Sequence, residues 1–198
     1  MKIFILTPWR DRLEPRMVES VREAIVNSPC RVDWFLVRGN PTPFETTHPV
    51  QVKKLEIQDQ VANLNRGVNL FLGSGYPYLL IIESDIIVPK DLLHRLMSRR
   101  ADVITGLARL RQEPHRLNCM WGETPVAVTD RCEAIDKFGL ACLLLRRRVI
   151  EQTMFKVDYE LGPDFRFAKD CVEAGFSCMC DTAVKCKHIL ADGTVLEV

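Results

Sequence analysis

Two carboxylates stand where an apolar chain does not normally tolerate them. In "LLIIESDIIVPKDLL", Leu79 to Leu93, four apolar residues run into Glu83, Ser84 and Asp85, and three more apolar residues follow. A run this dense marks a strand buried on both faces, as in a parallel sheet. Charged side chains enter such places only when they are paired or hold a ligand. Residues two apart on an extended chain project from one face, so Glu83 and Asp85 can meet one target. They stand at the carboxyl end of the strand, where open α/β sheets bind ligands. Their oxygens suit Mg²⁺ or Mn²⁺, ions held by one or two carboxylates together with substrate phosphates. The plainer alternative is a salt-bridged pair at a strand end, with Arg66 or Arg10 as partner.

Asp164 is the second residue with chemistry to offer. It stands immediately before "FRFAKDCVEAG", so it reads as a helix N-cap, or as a carboxylate that a helix start holds firmly enough to act as a general base. Residues 109–131 carry Arg109, Arg111, Arg116 and Trp121 with weak periodicity, which indicates a loop-rich or short-strand insert. Trp121 either stacks on a sugar or covers the core. Arg146 to Arg148 read as a solvated helix face.

The elements that must position these residues alternate. "KIFILTP" is a buried strand; "EPRMVESVREAIV" is a helix with Pro15 in its first turn; "VDWFLVRG" is a second strand. "VQVKKLEI" is a short strand or an extended connection. "DQVANLNRGVNLFLGSG" is a helix closed by glycine. The acidic strand comes third, then a helix with Pro89 at its start, then the strand "ADVITGLA". This rhythm predicts a doubly wound α/β sheet. After residue 109 it breaks, and returns with "AIDKFGLACLLLRRRVIEQ", the helix of Asp164, and the strand-like "SCMCDTAVKCKHI". The expectation is one domain over residues 1–198, with a nucleotide-binding half at 1–108 and a second half at 109–198.

Composition removes several classes. Lys+Arg 27 against Asp+Glu 26 gives a net charge of +1, so no overall field draws nucleic acid or anionic lipid. No apolar run approaches the roughly 20 residues that span a bilayer, and no signal peptide is visible. The expectation is a cytoplasmic protein with no transmembrane segment. Eight cysteines are many, but Cys178 and Cys180 are too closely spaced for a zinc knuckle and read as buried thiols on one strand face.

An apolar strand, acidic-x-acidic, more apolar residues and a Pro-led helix together resemble the metal motif of GT-A-fold glycosyltransferases, most closely the family-2-like members. "FILTPWRDR" resembles their first strand and donor-binding turn. "NLNRGVNLFLGSGYPYLLIIESD" resembles the Asn/Arg helix leading into the acidic motif. "GLACLLLRRRVIE" resembles the strand and helix behind the acceptor site, and "GPDFRFAKDCVEAGFSCMCDTAVKCKH" the acidic helix start and the strand ending in His. The resemblance implies a mostly parallel central sheet flanked by helices. It implies a hexosyltransferase-like enzyme that moves sugar from a nucleotide-diphospho-sugar to a hydroxyl of a glycan, protein or lipid-linked acceptor, with Mn²⁺ or Mg²⁺ as cofactor.

Carried onto this chain, the resemblance makes Asp85 a metal ligand and His188 a further one, and gives Glu83 a ribose or second-sphere metal role. It makes Asp164 the base that deprotonates the acceptor, which implies inversion at the sugar. It places the nucleotide against Thr7, Pro8, Arg10, Arg38, Asn65, Arg66, Glu83 and Ser84, and the acceptor against Trp121. Three departures stand out: Glu83 replaces the commoner Asp, Pro163 replaces an acidic residue, and the second strand ends in Arg38-Gly39-Asn40 without an acidic base-reading residue. The rivals are a nucleotidyltransferase on a similar sheet, though "LTPWRDR" lacks its Gly-rich phosphate loop, and a non-catalytic nucleotide-sugar-binding protein.

Overall fold

A computed structural model describes residues 1–9, 12–39 and 49–198. Its elements in chain order are β1 (Lys2–Trp9), α1 (Pro15–Val26), β2 (Arg31–Arg38), α2 (Pro49–Leu72), β3 (Tyr78–Ile82), β4 (Ile86–Ile87), α3 (Leu92–Ser98) and β5 (Val103–Leu107). The rest are β6 (Cys119–Trp121), β7 (Thr124–Pro125), β8 (Cys132–Ala134), β9 (Lys137–Phe138), β10 (Cys142–Arg146), α4 (Arg147–Gln152), α5 (Pro163–Glu173), β11 (Cys178–Lys185), β12 (Lys187–Ile189) and β13 (Val195–Leu196).

Seven strands form the central sheet in the order β2-β1-β3-β10-β5-β11-β8. Only β10 and β8 run against the others, so the sheet is mostly parallel as expected. Alternate residues of each strand feed opposite faces. Phe4, Leu6, Leu79, Ile81, Leu143 and Leu145 pack with the buried faces of α2, α4 and α5. Ile3, Ile5, Leu80, Ile82 and Leu144 pack with α1 and α3. That two-sided burial is why the inner strands lack polar alternation. Cys178 and Cys180 share the first of these cores, and all eight thiols are free. Among the described residues, no helix is long and apolar enough to cross a membrane.

The structure corrects several expected elements. "VQVKKLEI" is the first part of α2, not a strand. Its apolar residues come two apart in two pairs, Val50 with Val52 and Leu55 with Ile57, whose phase flips at Lys53-Lys54, and they are exposed or half-buried; Lys, Leu, Glu and Gln are good helix formers, and a helix already nucleated extends at little cost. Pro89 lies ahead of α3, which begins at Leu92. Asp164 is not an N-cap: α5 starts one residue earlier, at Pro163, and Gly162 stands at the cap with φ of 81°, a left-handed angle that favours glycine. Of Arg146 to Arg148, read as a solvated face, Arg148 is exposed but Arg147 is turned inward. Arg147 donates to the carbonyls of Phe71, Leu72, Ser74 and Tyr76 at the end of α2, and Arg148 holds Asp102.

Candidate active site

The carboxyl ends of β1 and β3 open into a cavity of about 590 Å³. One wall is the face of α2 carrying Glu56, Asp59, Gln60, Asn63 and Leu64, and the β1 side supplies Pro8 and Trp9, joined by Gly39 from the end of β2. The floor is Glu83, Ser84 and Asp85, and the far side is Arg111, Leu140 and Ile189 to Ala191. The α2 wall is set close to the sheet. A Cβ on Gly67 would come within 2.4 Å of both Leu6 methyls, so only glycine lets the helix approach this nearly.

The acidic motif is not extended, as the spacing suggested. β3 ends at Ile82 and Ser84-Asp85 form a turn before β4. The turn is fixed by Glu83 N donating to Ala141 O at 3.2 Å, and by Glu14 N donating to Ser84 O at 3.3 Å. Both carboxylates line the cavity because the chain turns at the sheet's end, not because of strand alternation.

β12 then brings His188 to Asp85. It pairs antiparallel with β4, His188 opposite Ile86, and Ile189 N donates to Asp85 O at 2.9 Å. His188 is 6% exposed. Its Nδ1 lies 2.8 Å from Arg109 O and its Nε2 3.3 Å from Asp85 Oδ2. Arg111 reaches both: Nε donates to His188 Nε2 at 2.8 Å, and Nη2 donates to Asp85 Oδ2. Asp85 Oδ1 is buried and has no hydrogen-bond partner among the described residues.

The electrostatics of the floor are unusual for carboxylates. Burial pushes the Glu83 carboxyl up to about 7, helped by the nearby charges of Asp85 and Asp164 and opposed by Arg111 and His188. Burial likewise raises Asp164, against the pull of backbone N–H groups at the start of α5. For His188, burial disfavours the imidazolium, but Asp85 and the Arg109 carbonyl outweigh it and hold the ring above its ordinary value. Two arrangements therefore compete at Nε2: bare, it accepts from Arg111; protonated, it donates to Asp85.

The expected site residues divide into those the fold brings together and those it does not. Glu83, Ser84, Asp85 and Pro8 line the cavity, and His188 touches Asp85. Asp164 is not part of the lining but stands beside it, since a Cβ on Gly139 would lie 3.6 Å from Asp164 Oδ2 and Leu140 is in the wall. Arg38 stacks its guanidinium 5.0 Å above the Trp9 ring. Thr7 is buried in the sheet and accepts from Trp34 Nε1 at 3.0 Å. Asn65 donates to Phe155 O at 2.9 Å, and Arg66 donates to Arg38 O at 3.0 Å. Thr7, Asn65 and Arg66 thus hold the fold together and do not line the cavity. Trp121 is 61% exposed on β6 and is likewise outside the lining. Arg10 lies outside the described residues.

Trp9, Asn63 and Arg111 are among the cavity residues that the sequence does not single out. Trp9 is the last residue of β1, and its position at a strand end is a usable signal. Asn63 lies on the buried stripe of α2 between Val61 and Leu64, donates to Trp9 O at 3.2 Å and keeps a partnerless Oδ1. A polar residue on an apolar stripe is detectable in sequence. Arg111 was noticed only as part of a basic insert; nothing in its neighbourhood announces that it reaches Asp85.

No family model matches this chain, and no curated protein matches it. Solved structures do. A197 from STIV aligns over 100% of this chain and 94% of its own at 10% identity, with a TM-score of 0.56. S. aureus TarS 1–349 aligns over 91% of this chain and 58% of its own at 12% identity, TM-score 0.55. The inositol-1-phosphate CTP transferase from T. maritima aligns over 91% and 84% at 10% identity, TM-score 0.54. The likeness is one of fold: a mostly parallel central sheet flanked by helices, of the GT-A type.

Proposed function

We propose that the protein is a glycosyltransferase that takes a nucleotide-diphospho-sugar with a divalent ion and transfers the sugar to a hydroxyl acceptor with inversion. The observation that carries this reading is the convergence of Asp85 and His188 on the floor of a cavity walled by the ends of β1 and β3. The donor would lie against residues of the 1–108 half, between Trp9 and α2, and the acceptor would enter from the side of the 109–198 half.

The residues fit the ion. Asp85 offers a buried oxygen without a partner, and His188, its Nδ1 tied to a carbonyl, offers Nε2. Such outer tethering is what orients ligating imidazoles. Among the described residues no group of three or more His, Cys, Asp or Glu is arranged to hold a metal. Two protein donors match Mg²⁺ or Mn²⁺, which draw their remaining ligands from water and substrate phosphates; they do not match structural zinc, which takes four. When bound, the ion would supply Lewis-acid charge for the departing nucleoside diphosphate.

The chain's own residues do the rest. Glu83, its carboxyl raised by burial, faces the cavity and can contact a ribose hydroxyl. Asp164, its basicity raised by burial, takes the proton from the acceptor oxygen as that oxygen attacks.

The fold of the T. maritima CTP transferase supports one rival, a nucleotidyltransferase. Nucleoside diphosphate binding measured by calorimetry with and without Mn²⁺ tests the main reading. Wild type should bind only with Mn²⁺, and Asp85→Ala should lose that binding; unchanged Mn²⁺-dependent affinity in the variant removes the metal assignment. Release of pyrophosphate from a nucleoside triphosphate and a sugar phosphate, with no turnover of nucleotide-sugars, would decide for the rival.

A further inference from the structure

Arg111 occupies the place between Asp85 and His188 that a cation would take. Its guanidinium donates to Asp85 Oδ2 through Nη2 and to His188 Nε2 through Nε at 2.8 Å. The segment that delivers it also orients the imidazole, because the Arg109 carbonyl, two residues earlier, meets His188 Nδ1 at 2.8 Å. That segment is firmly tied. Leu110 N donates to Arg116 O at 2.8 Å, and Arg109 donates to His115 O at 3.0 Å and to Glu197 O at 2.6 Å. The Arg111 side chain itself is 57% exposed and lines the cavity. It can therefore swing while the backbone beneath it stays in place.

We propose that Arg111 is a built-in competitor for the divalent ion: it closes the Asp85–His188 pair when the ion is absent and turns to the donor diphosphate when ion and nucleotide are both present. This rests on the metal-dependent reading given above. A guanidinium and a divalent cation cannot both sit against one carboxylate and one imidazole nitrogen without strong repulsion, so one must leave. The side chain that leaves is a planar fork of donors matched to phosphate, and it is released at the rim of the cavity the phosphates would enter. The ion alone then binds weakly, because its affinity is reduced by the fraction of molecules in which the pair is free. Nucleotide removes the competitor by engaging it, so ion and nucleotide strengthen each other's binding by the same factor.

The test uses the whole chain, Mn²⁺ alone, and UDP and GDP at saturating Mn²⁺. Mn²⁺ binding is read from the electron-spin-resonance signal of the free ion, and nucleotide binding by calorimetry. For Arg111→Gln, Mn²⁺ alone should bind about tenfold tighter than to wild type, as expected if the closed pair is populated in about nine molecules of ten. Nucleoside diphosphate at saturating Mn²⁺ should bind about tenfold weaker, since a charged bond to phosphate is lost. These opposite signs are the signature, because a merely structural Arg111 would move both affinities the same way. Arg111→Lys, which keeps the charge without the fork, should restore part of the diphosphate affinity. Unchanged or weaker Mn²⁺ binding by Arg111→Gln, with wild-type nucleotide binding still Mn²⁺-dependent, overturns the competitor and leaves the proposed function standing. Nucleotide binding by wild type with no divalent ion, lost in Arg111→Gln, would make the guanidinium the resident cation and overturn both.

Discussion

Asp102 and Asp85 are carboxylates at opposite ends of the same sheet, and they meet opposite fates. Asp102 immediately precedes β5 and is 7% exposed. Its Oδ2 accepts from Ser177 N at 3.1 Å and Ser177 Oγ at 3.0 Å, and its Oδ1 accepts from Arg148 Nε at 2.9 Å and from Nη2. Burial opposes its ionised form, but the bonds from Arg148 and Ser177 outweigh that and hold the carboxyl below the ordinary range. Asp85 follows β3, keeps one oxygen without a partner among the described residues, and shares its floor with Glu83, a carboxyl pushed up to about 7 by burial. The lesson is that a buried charge does not by itself mark function. A charge whose every lone pair is met fastens the fold; a cluster left short of partners, in a cavity, is poised for a ligand.

That contrast can be broken at either end. The largest effect is expected at the cavity, from Asp164→Asn. Transfer should fall about 10³-fold, within the range for a lost general base, while Mn²⁺-dependent nucleotide binding stays; full transfer activity would remove Asp164 as the base. At the closed end, Asp102→Ala strands Arg148 and the Ser177 N–H. Urea unfolding should show a loss of about 2–3 kcal/mol, below the full value for a broken buried pair because Arg148 is largely exposed, with nucleotide affinity of the folded protein unchanged. A change in that affinity would mean the two ends are not independent.

The smallest effect concerns pH. The Glu83 carboxyl is raised in the folded state, so between about pH 4.5 and 7 the folded protein binds more protons than the unfolded chain. Glu83 therefore lowers stability progressively as pH rises through that window. Glu83→Gln should flatten this part of the stability–pH curve, measured by thermal unfolding of the metal-free protein. A curve of unchanged slope would show that Glu83 is not the group responsible.

Much of this was legible in the chain. The apolar runs gave the buried strands, Pro15 gave the start of α1, and the acidic triplet after Ile82 pointed to the ligand end of the sheet. What could not be read has physical causes. The first half of α2 has apolar residues two apart in short pairs, as a strand would, yet it is one continuous helix with the buried stripe that follows. Asn65 and Arg66 are polar residues on a helix near the site, and only packing shows that their bonds go to Phe155 and Arg38. Arg147 sits in a basic triplet that looks solvated, yet it finds the carbonyls at the end of α2, which a helix leaves unsatisfied. Its guanidinium also lies 4.7 Å from the Phe71 ring.

The sequence by itself determined the alternation of strands and helices, the burial of the sheet on both faces, and the placement of Glu83 and Asp85 at a strand's end. Local spacing and hydrophobicity suffice for those, because each is a property of a few consecutive residues. Only the tertiary structure decided that β12 lays His188 against Asp85 across 103 residues of chain, and that Arg111 closes the pair. It also decided that Asp164 stands behind Gly139 at the rim. Those meetings are set by strand pairing and helix packing between distant segments, and no pattern within any one segment encodes them.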